Sequence, residues 1–160
     1  MFLTSIEYLL VFILSVNIIY LLVFSIASHC SPKNQEIRVN VLNRIVILIP
    51  AYKEDQVIME CVNSCLTQDY PKEKYDIIVI SDRMQDITIS TLETLPLKLI
   101  KVFFKDSTKA KALNYAMDEI GDNYDIAIIL DADNVVDSEF LSHINTSMNQ
   151  QGVEVVQAHR

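Results

Sequence analysis

Glycine is nearly absent from this chain: Gly121 and Gly152 are the two among 160 residues. With so few, no G-x-G-x-x-G dinucleotide fingerprint, no P-loop and no G-x-S-x-G nucleophile elbow can be written. Cysteine is also scarce. Cys30, Cys61 and Cys65 make an odd count without framework spacing, which argues for reduced thiols in a cytosolic setting. Cys61 and Cys65 lie four apart with no third cysteine or histidine nearby, so they read as core packing rather than a metal site. Basic residues are outnumbered, 13 against 21 acidic, for a net charge of -8. An acidic surface argues against sequence-independent nucleic-acid binding, which needs basic patches, and it repels anionic ligands unless a bound cation intervenes.

What the chain does have is hydrocarbon, 51% of its residues, with much of the excess in the first thirty positions. Tyr8 to Ala27 is interrupted only by Ser15, Asn17 and Ser25. About 20 such residues span a bilayer as a helix. A cleaved signal peptide is the rival, because Ser25-Ile-Ala27 resembles a small-x-small site. No Lys or Arg precedes the run, however, and the run is longer than an h-region, which favours a retained anchor. Lys33, Arg38 and Arg44 follow the run and Glu7 precedes it, so the positive-inside bias puts the rest of the chain in the cytoplasm. We expect an anchor over 1–28, a linker over 29–43 and one domain over 44–160.

Beyond the linker, β-branched runs alternate with 3.6-periodic segments. Arg44 to Pro50 reads as a strand ended by its proline, with Ala51 to Asp55 as the loop at its carboxyl end. A helix carrying Ile58, Cys61, Val62, Cys65 and Leu66 follows, stopped by Asp69-Tyr-Pro71. Next come a strand over Tyr75 to Ile80, a weaker helix over Ile87 to Leu95 and a strand over Leu97 to Phe104. A helix over Lys109 to Ile120 is capped by Ser107 or Thr108 and closed by Gly121. Ile126 to Leu130 is a buried strand. Ser138 is placed to cap a helix with Leu141, Ile144 and Met148, and Val153 to Val156 reads as a last strand. This order implies parallel βαβ units and an α/β fold with a doubly wound, mostly parallel sheet.

The chemistry centres on Asp131 and Asp133, which end the Ile126 to Leu130 run. Along an extended chain they point to the same side. Two like charges so close need a cation, a shared proton or a basic partner. We read them as holding a divalent metal that in turn holds a diphosphate. Loops after three strands meet at one edge of a parallel sheet, where ligands bind. They bring Glu54, Asp55, Asp82, Asp86, Asp131 and Asp133 there, although Asp55, Asp86 and Asn134 have ordinary explanations as caps and turn residues. His159 follows Gln157 on the expected last strand and reads as a core or surface residue.

Five short stretches occur in a recognisable order: Ile49-Pro-Ala-Tyr-Lys-Glu54, Gln68-Asp-Tyr-Pro71, Ile78-Val-Ile-Ser-Asp82, Lys109-Ala-Lys-Ala-Leu-Asn114 and Asp131-Ala-Asp133. Together they resemble the family-2 glycosyltransferases of GT-A fold, over roughly residues 44–160. The resemblance implies a Rossmann-like nucleotide-binding half and an enzyme that transfers hexosyl groups. Its donor is a nucleotide-sugar, and UDP-linked donors are the usual ones. Its acceptor is a glycan or a lipid-linked molecule, and its stereochemistry is inverting. By the same resemblance Pro50, Ala51, Tyr52 and Glu54 touch the nucleoside, and Asp82 accepts a hydrogen bond from the base. Lys109 lies near the nucleotide, and Asp131 and Asp133 hold Mg²⁺ or Mn²⁺ across the diphosphate. Lys53 stands where the family often has Asn, and Arg83 and Met84 replace small polar residues.

The family's general base belongs beyond the matched segment, and no Trp is present for the Gln-x-x-Arg-Trp motif of processive members. The chain therefore reads as a donor-binding half, incomplete at its carboxyl end. The alternative is a non-catalytic, membrane-tethered donor-binding remnant or subunit partner. A nucleotidyltransferase on a similar sheet is disfavoured, because its glycine-rich signature after the first strand is missing.

Overall fold

The computed structural model describes residues 2–29, 41–151 and 154–158. The chain divides into two compact units, Met1–Glu36 and Ile37–Arg160. The first contains helix α1, Phe2–His29. Its apolar stretch, Ser5–Ala27, has 23 residues and is long and apolar enough to cross a membrane. At 1.5 Å per residue it measures about 34 Å, against about 30 Å of bilayer hydrocarbon. Cys30, Lys33, Arg38 and most of the expected linker lie outside the described residues.

The second unit is an α/β layer structure. Strands β1 (Ile45–Tyr52), β2 (Tyr75–Asp82), β3 (Lys98–Val102) and β4 (Ile126–Ile129) form one sheet of order β3-β2-β1-β4, with every neighbouring pair parallel. The helices between and after them are α2 (Ile58–Leu66), α3 (Asp86–Leu92), α4 (Lys109–Ile120) and α5 (Phe140–Gln151). The pleat sorts the core. Ile45, Ile47, Ile49 and Ala51 of β1 face the layer that holds Cys61 and Val62 of α2, Leu92 of α3 and Leu141 of α5. Val46 and Leu48 face Ala112, Ala116 and Ile120 of α4 on the other side. Both faces of β1 and β2 are therefore covered, which is why their runs are continuously apolar. The chain moves outward from β1 through β2 to β3, then crosses back to lay β4 on the other side of β1. That reversal creates a crevice between the carboxyl ends of β1 and β4.

Several local expectations need correction. Pro50 does not end β1; it sits inside the strand, in register with Ile80. The Leu130 N–H donates to the Leu48 carbonyl at 3.0 Å, so Leu48 faces β4, and two residues on Pro50 faces the same way. The β1–β4 register stops at Leu48–Ile129, so the donor that proline lacks has no acceptor to miss. Strand β4 is buried on one face only. Ile126, Ile128 and Leu130 are buried while Ala127 and Ile129 are exposed, because β4 is an edge strand and α4 packs over β1 and β2. Helix α3 is shorter than its threonine-rich segment, ending at Leu92. Asp137, not Ser138, accepts the first side-chain bond near α5, from the Glu139 N–H at 2.9 Å. Residues 154–158 form no strand, and Gly152, Val153 and His159 lie outside the described residues.

Candidate functional site

A cleft of about 400 Å³ opens at the carboxyl edge of the sheet, over the reversal between β1 and β4. Pro50, Ala51, Tyr52, Glu54, Asp82, Lys109, Asp131 and Asp133 all line it. Every residue singled out as donor- or metal-binding is thus brought to one place, from four different segments of chain. A larger cavity, about 690 Å³, lies at the opposite edge, where Tyr75, Asp76 and Lys98 open β2 and β3. It contains none of those residues and sits at the strand ends that parallel sheets do not use for ligands.

Each wall has a local cause. The β1 exit runs Ala51, Tyr52, Lys53, with Ala51 buried in the core and Tyr52 exposed. Lys53 adopts φ 56°, and its N–H donates to the Asp82 carbonyl at 3.2 Å. Arg83 has the same φ after β2, so both neighbouring strands leave the sheet through one left-handed residue. Asp82, the last residue of β2, is 3% exposed, and its Oδ1 has no hydrogen-bond partner. The Arg83 Nε lies 4.0 Å away, too far for a hydrogen bond. A buried carboxylate oxygen without a donor is expensive to leave unmet, and a donor from water or from a ligand would satisfy it.

Helix α4 forms the third wall. Thr108, not Ser107, caps it: the Thr108 Oγ1 accepts from the Lys111 N–H at 3.2 Å. Ser107 lines the cleft instead, and its buried Oγ is the other buried side-chain polar atom without a partner among the described residues. Ser107 and Thr108 were legible only as caps; their place beside the Lys109 motif was the available clue. Lys109 begins the helix, where the dipole disfavours a cation, and its ammonium meets the Asp131 carboxylate. So the basic partner foreseen as one remedy for the aspartate pair is present. Both side chains of this ion pair are about half exposed, so it contributes at most about 1 kcal/mol to stability.

The fourth wall is a turn rather than an extension of β4. The Asn134 N–H donates to the Asp131 carbonyl at 3.0 Å. Strand alternation therefore does not align Asp131 and Asp133; both nevertheless line the cleft, with buried Ala132 between them. Behind the turn, the Cys61 thiol donates to the Asp131 carbonyl at 3.6 Å. The thiol's hydrogen bond with Cys65, its burial and the carboxylates of Asp133 and Asp131 push it well above the ordinary thiol range. Cys61 is therefore a neutral packing residue here, as its spacing suggested. Asp55 and Asp86 do not line the cleft. The Asp55 Oδ1 accepts from the Gln85 N–H at 2.9 Å, tying the β1 exit to the start of α3. Its bond to Thr88, aided by the backbone bonds from Gln85 and within Asp55, holds its carboxyl below the usual range. Asp86 lies in the first turn of α3.

The cleft thus presents four carboxylates, Glu54, Asp82, Asp131 and Asp133, and one ammonium, Lys109. An anionic ligand would be repelled by that balance. Among the described residues, no three His, Cys, Asp or Glu side chains converge on a metal position. Mg²⁺ and Mn²⁺ do not require that. Mg²⁺ is commonly held by one or two carboxylates, with phosphate and water oxygens completing the shell. The donor set is all hard oxygen, and Asp131 already receives one cation, so the pair fits such an ion.

A family model, glycosyltransferase like family 2, matches residues 43–160. The chain belongs to that family. Among curated relatives, the Methanococcus voltae dolichyl N-acetyl-alpha-D-glucosaminyl phosphate 3-beta-D-2,3-diacetamido-2,3-dideoxy-beta-D-glucuronosyltransferase is 31% identical over 108 residues, covering 64% of this chain and 33% of the relative. The poly-beta-1,6-N-acetyl-D-glucosamine synthase of Staphylococcus aureus is 30% identical over 110 residues, 67% of this chain and 26% of the relative. Among solved structures, the Pyrobaculum calidifontis mannosyltransferase in complex with GDP-Man and Mn²⁺ superposes with TM-score 0.67 at 27% identity, over 83% of this chain and 41% of that one. The Staphylococcus aureus TarS 1-349 structure with UDP-GlcNAc, at 21% identity and TM-score 0.57, covers 68% of this chain and 32% of that one, and shows the fold alone. The chain spans a third or less of the curated relatives named here. The family-2 glycosyltransferase fold expected from the motifs is thus the one observed.

Proposed function

We propose that this chain carries the donor-binding half of a metal-dependent, inverting glycosyltransferase. Residues 1–28 anchor it, 29–43 link, and 44–160 bind a nucleotide-sugar, UDP-linked by preference, on the cytoplasmic side of a membrane. The acceptor is a glycan or a lipid-linked molecule. One observation carries the reading: the residues expected to bind base, phosphate and metal line a single cleft at the strand-order reversal.

The residues divide the work by chemistry. Asp82 accepts the imide N–H that a uracil base offers, which would satisfy its unpartnered Oδ1. Pro50, Ala51, Tyr52 and Glu54 of the β1 exit pack against the nucleoside. Lys109 brings positive charge to the phosphates at the amino end of α4, where backbone N–H groups also favour anions. Asp131 and Asp133 hold the divalent ion. That ion, when bound, neutralises the charge that grows on the nucleotide as the sugar departs.

The test is calorimetric titration of UDP with Mn²⁺ into the full chain in detergent, beside Asp131→Ala and Asp133→Ala. The wild type binds, and each variant binds at least about tenfold more weakly, the scale of one lost charge-assisted contact. Equal affinities for all three proteins contradict the proposal. A non-catalytic donor-binding partner is the second reading, favoured by the motif set, which holds the donor-binding stretches and no Trp for a Gln-x-x-Arg-Trp motif. Release of free sugar from UDP-GlcNAc by the full chain would exclude it.

A further inference from the structure

The Gln68-Asp-Tyr-Pro71 stretch lies outside the cleft, and the donor-binding reading leaves it without a task. The structure gives it one. Gln68 is 4% exposed, a buried amide at the end of α2. Its Nε2 donates to the Asp137 carbonyl at 2.7 Å and to the Ser64 carbonyl at 2.9 Å. Its Oε1 accepts the Leu141 N–H at 3.1 Å. One side chain therefore grips two points, four residues apart, on the segment that leaves the aspartate turn. Neighbouring groups continue the grip. The Asp69 N–H donates to the Ser138 carbonyl at 2.7 Å, and the Ser142 hydroxyl donates to the Asp69 carbonyl at 2.9 Å. Further along α2, the Ser64 Oγ accepts the Val136 N–H at 3.2 Å, and the Cys61 thiol reaches the Asp131 carbonyl. From Asp131 to Ser142 the chain is held by bonds to Cys61 and Ser64 of α2 and to Gln68 and Asp69 just beyond it, although no regular structure spans residues 130–139.

We propose that Gln68 is a positioning residue for the aspartate turn, fixing from behind where Asp131 and Asp133 present their carboxylates. This rests on the donor-binding reading above. A short turn at the edge of a sheet has little of its own to hold two repelling carboxylates in a fixed geometry. Groups that orient metal-binding side chains from outside the first contacts typically affect metal affinity 10- to 100-fold. Gln68 supplies such support with both ends of its amide, which neither Glu nor Met can reproduce.

The experiment measures Mn²⁺ affinity of the full chain in detergent by electron paramagnetic resonance, with saturating UDP. Four proteins are compared: wild type, Gln68→Met, Gln68→Glu and Val62→Ala. Gln68→Met removes both halves of the grip at similar volume. Gln68→Glu keeps the acceptor for Leu141 and removes the donor to Asp137, and serves if the methionine variant fails to fold. Val62→Ala trims the buried core of α2, the helix that Gln68 follows, and controls for lost stability. Mn²⁺ binding weakens about tenfold or more in the folded Gln68 variants and stays within about twofold in Val62→Ala at a comparable melting temperature. Gln68 variants that match Val62→Ala in Mn²⁺ affinity overturn the positioning role while leaving the donor-binding reading intact. A wild type that binds no Mn²⁺ overturns both.

Discussion

Single residues at the strand exits carry more strain than the family's usual choices would. Lys53 holds φ 56° where the family often has Asn, and Asn tolerates the left-handed region far better than Lys. Lys53→Asn should therefore raise stability, by about 0.5–1 kcal/mol, seen as a higher thermal midpoint. Lys53 does not line the cleft, so nucleotide affinity should stay put. Gly121 makes the opposite case. Its φ 57° and ψ −152° belong to a region that is essentially glycine's, so Gly121→Ala should lose about 1–3 kcal/mol although nothing lies within 4 Å of the added methyl. Lys109→Met separates binding from folding. Its exposed ion pair contributes at most about 1 kcal/mol to stability, yet its loss removes the cleft's one ammonium. UDP affinity should fall about tenfold by calorimetry with a melting shift of a few degrees at most.

At the scale of elements, the sequence was informative wherever burial imposed a period. The apolar repeats of α2 and α4 and the continuous runs of β1 and β2 follow from facing one or two covered surfaces, and these elements lie where their patterns put them. What escaped reading depended on partners distant in sequence. Pro50 looks like a terminator until β4 is seen to stop pairing before it. The Ile126 to Leu130 run looks buried on both faces, because nothing local says that α4 covers β1 and β2 instead. Val153 to Val156 has strand composition, but residues 154–158 pair with no strand. The cleft was legible because strand ends are marked locally, by a polar residue after an apolar run, and parallel order then gathers them on one edge. Ser107 and the Gln68 grip were not, because an orphaned hydroxyl and a bond over 69 residues of sequence leave no local trace.

For the whole molecule, the acidic balance sets how the protein responds to its surroundings. Asp55 titrates lower in the folded chain than its ordinary value, so its contribution to stability is present above an unfolded pKa of about 3.9 and is lost as pH falls through the lower folded value. The stability gap between wild type and Asp55→Asn should be constant near neutrality and close only below about pH 4, measured by thermal unfolding across pH. The net charge of -8 also means that nucleotide binding should depend on the divalent ion and not merely on ionic strength. Added NaCl should not replace Mn²⁺ in restoring UDP binding after chelation. Diffraction at the manganese edge from crystals of the full chain soaked with Mn²⁺ and UDP tests the central claim most directly. The account predicts an anomalous peak between Asp131, Asp133 and the diphosphate, with the base against Asp82. A clear nucleotide with no manganese at those aspartates, or a peak elsewhere, would contradict it.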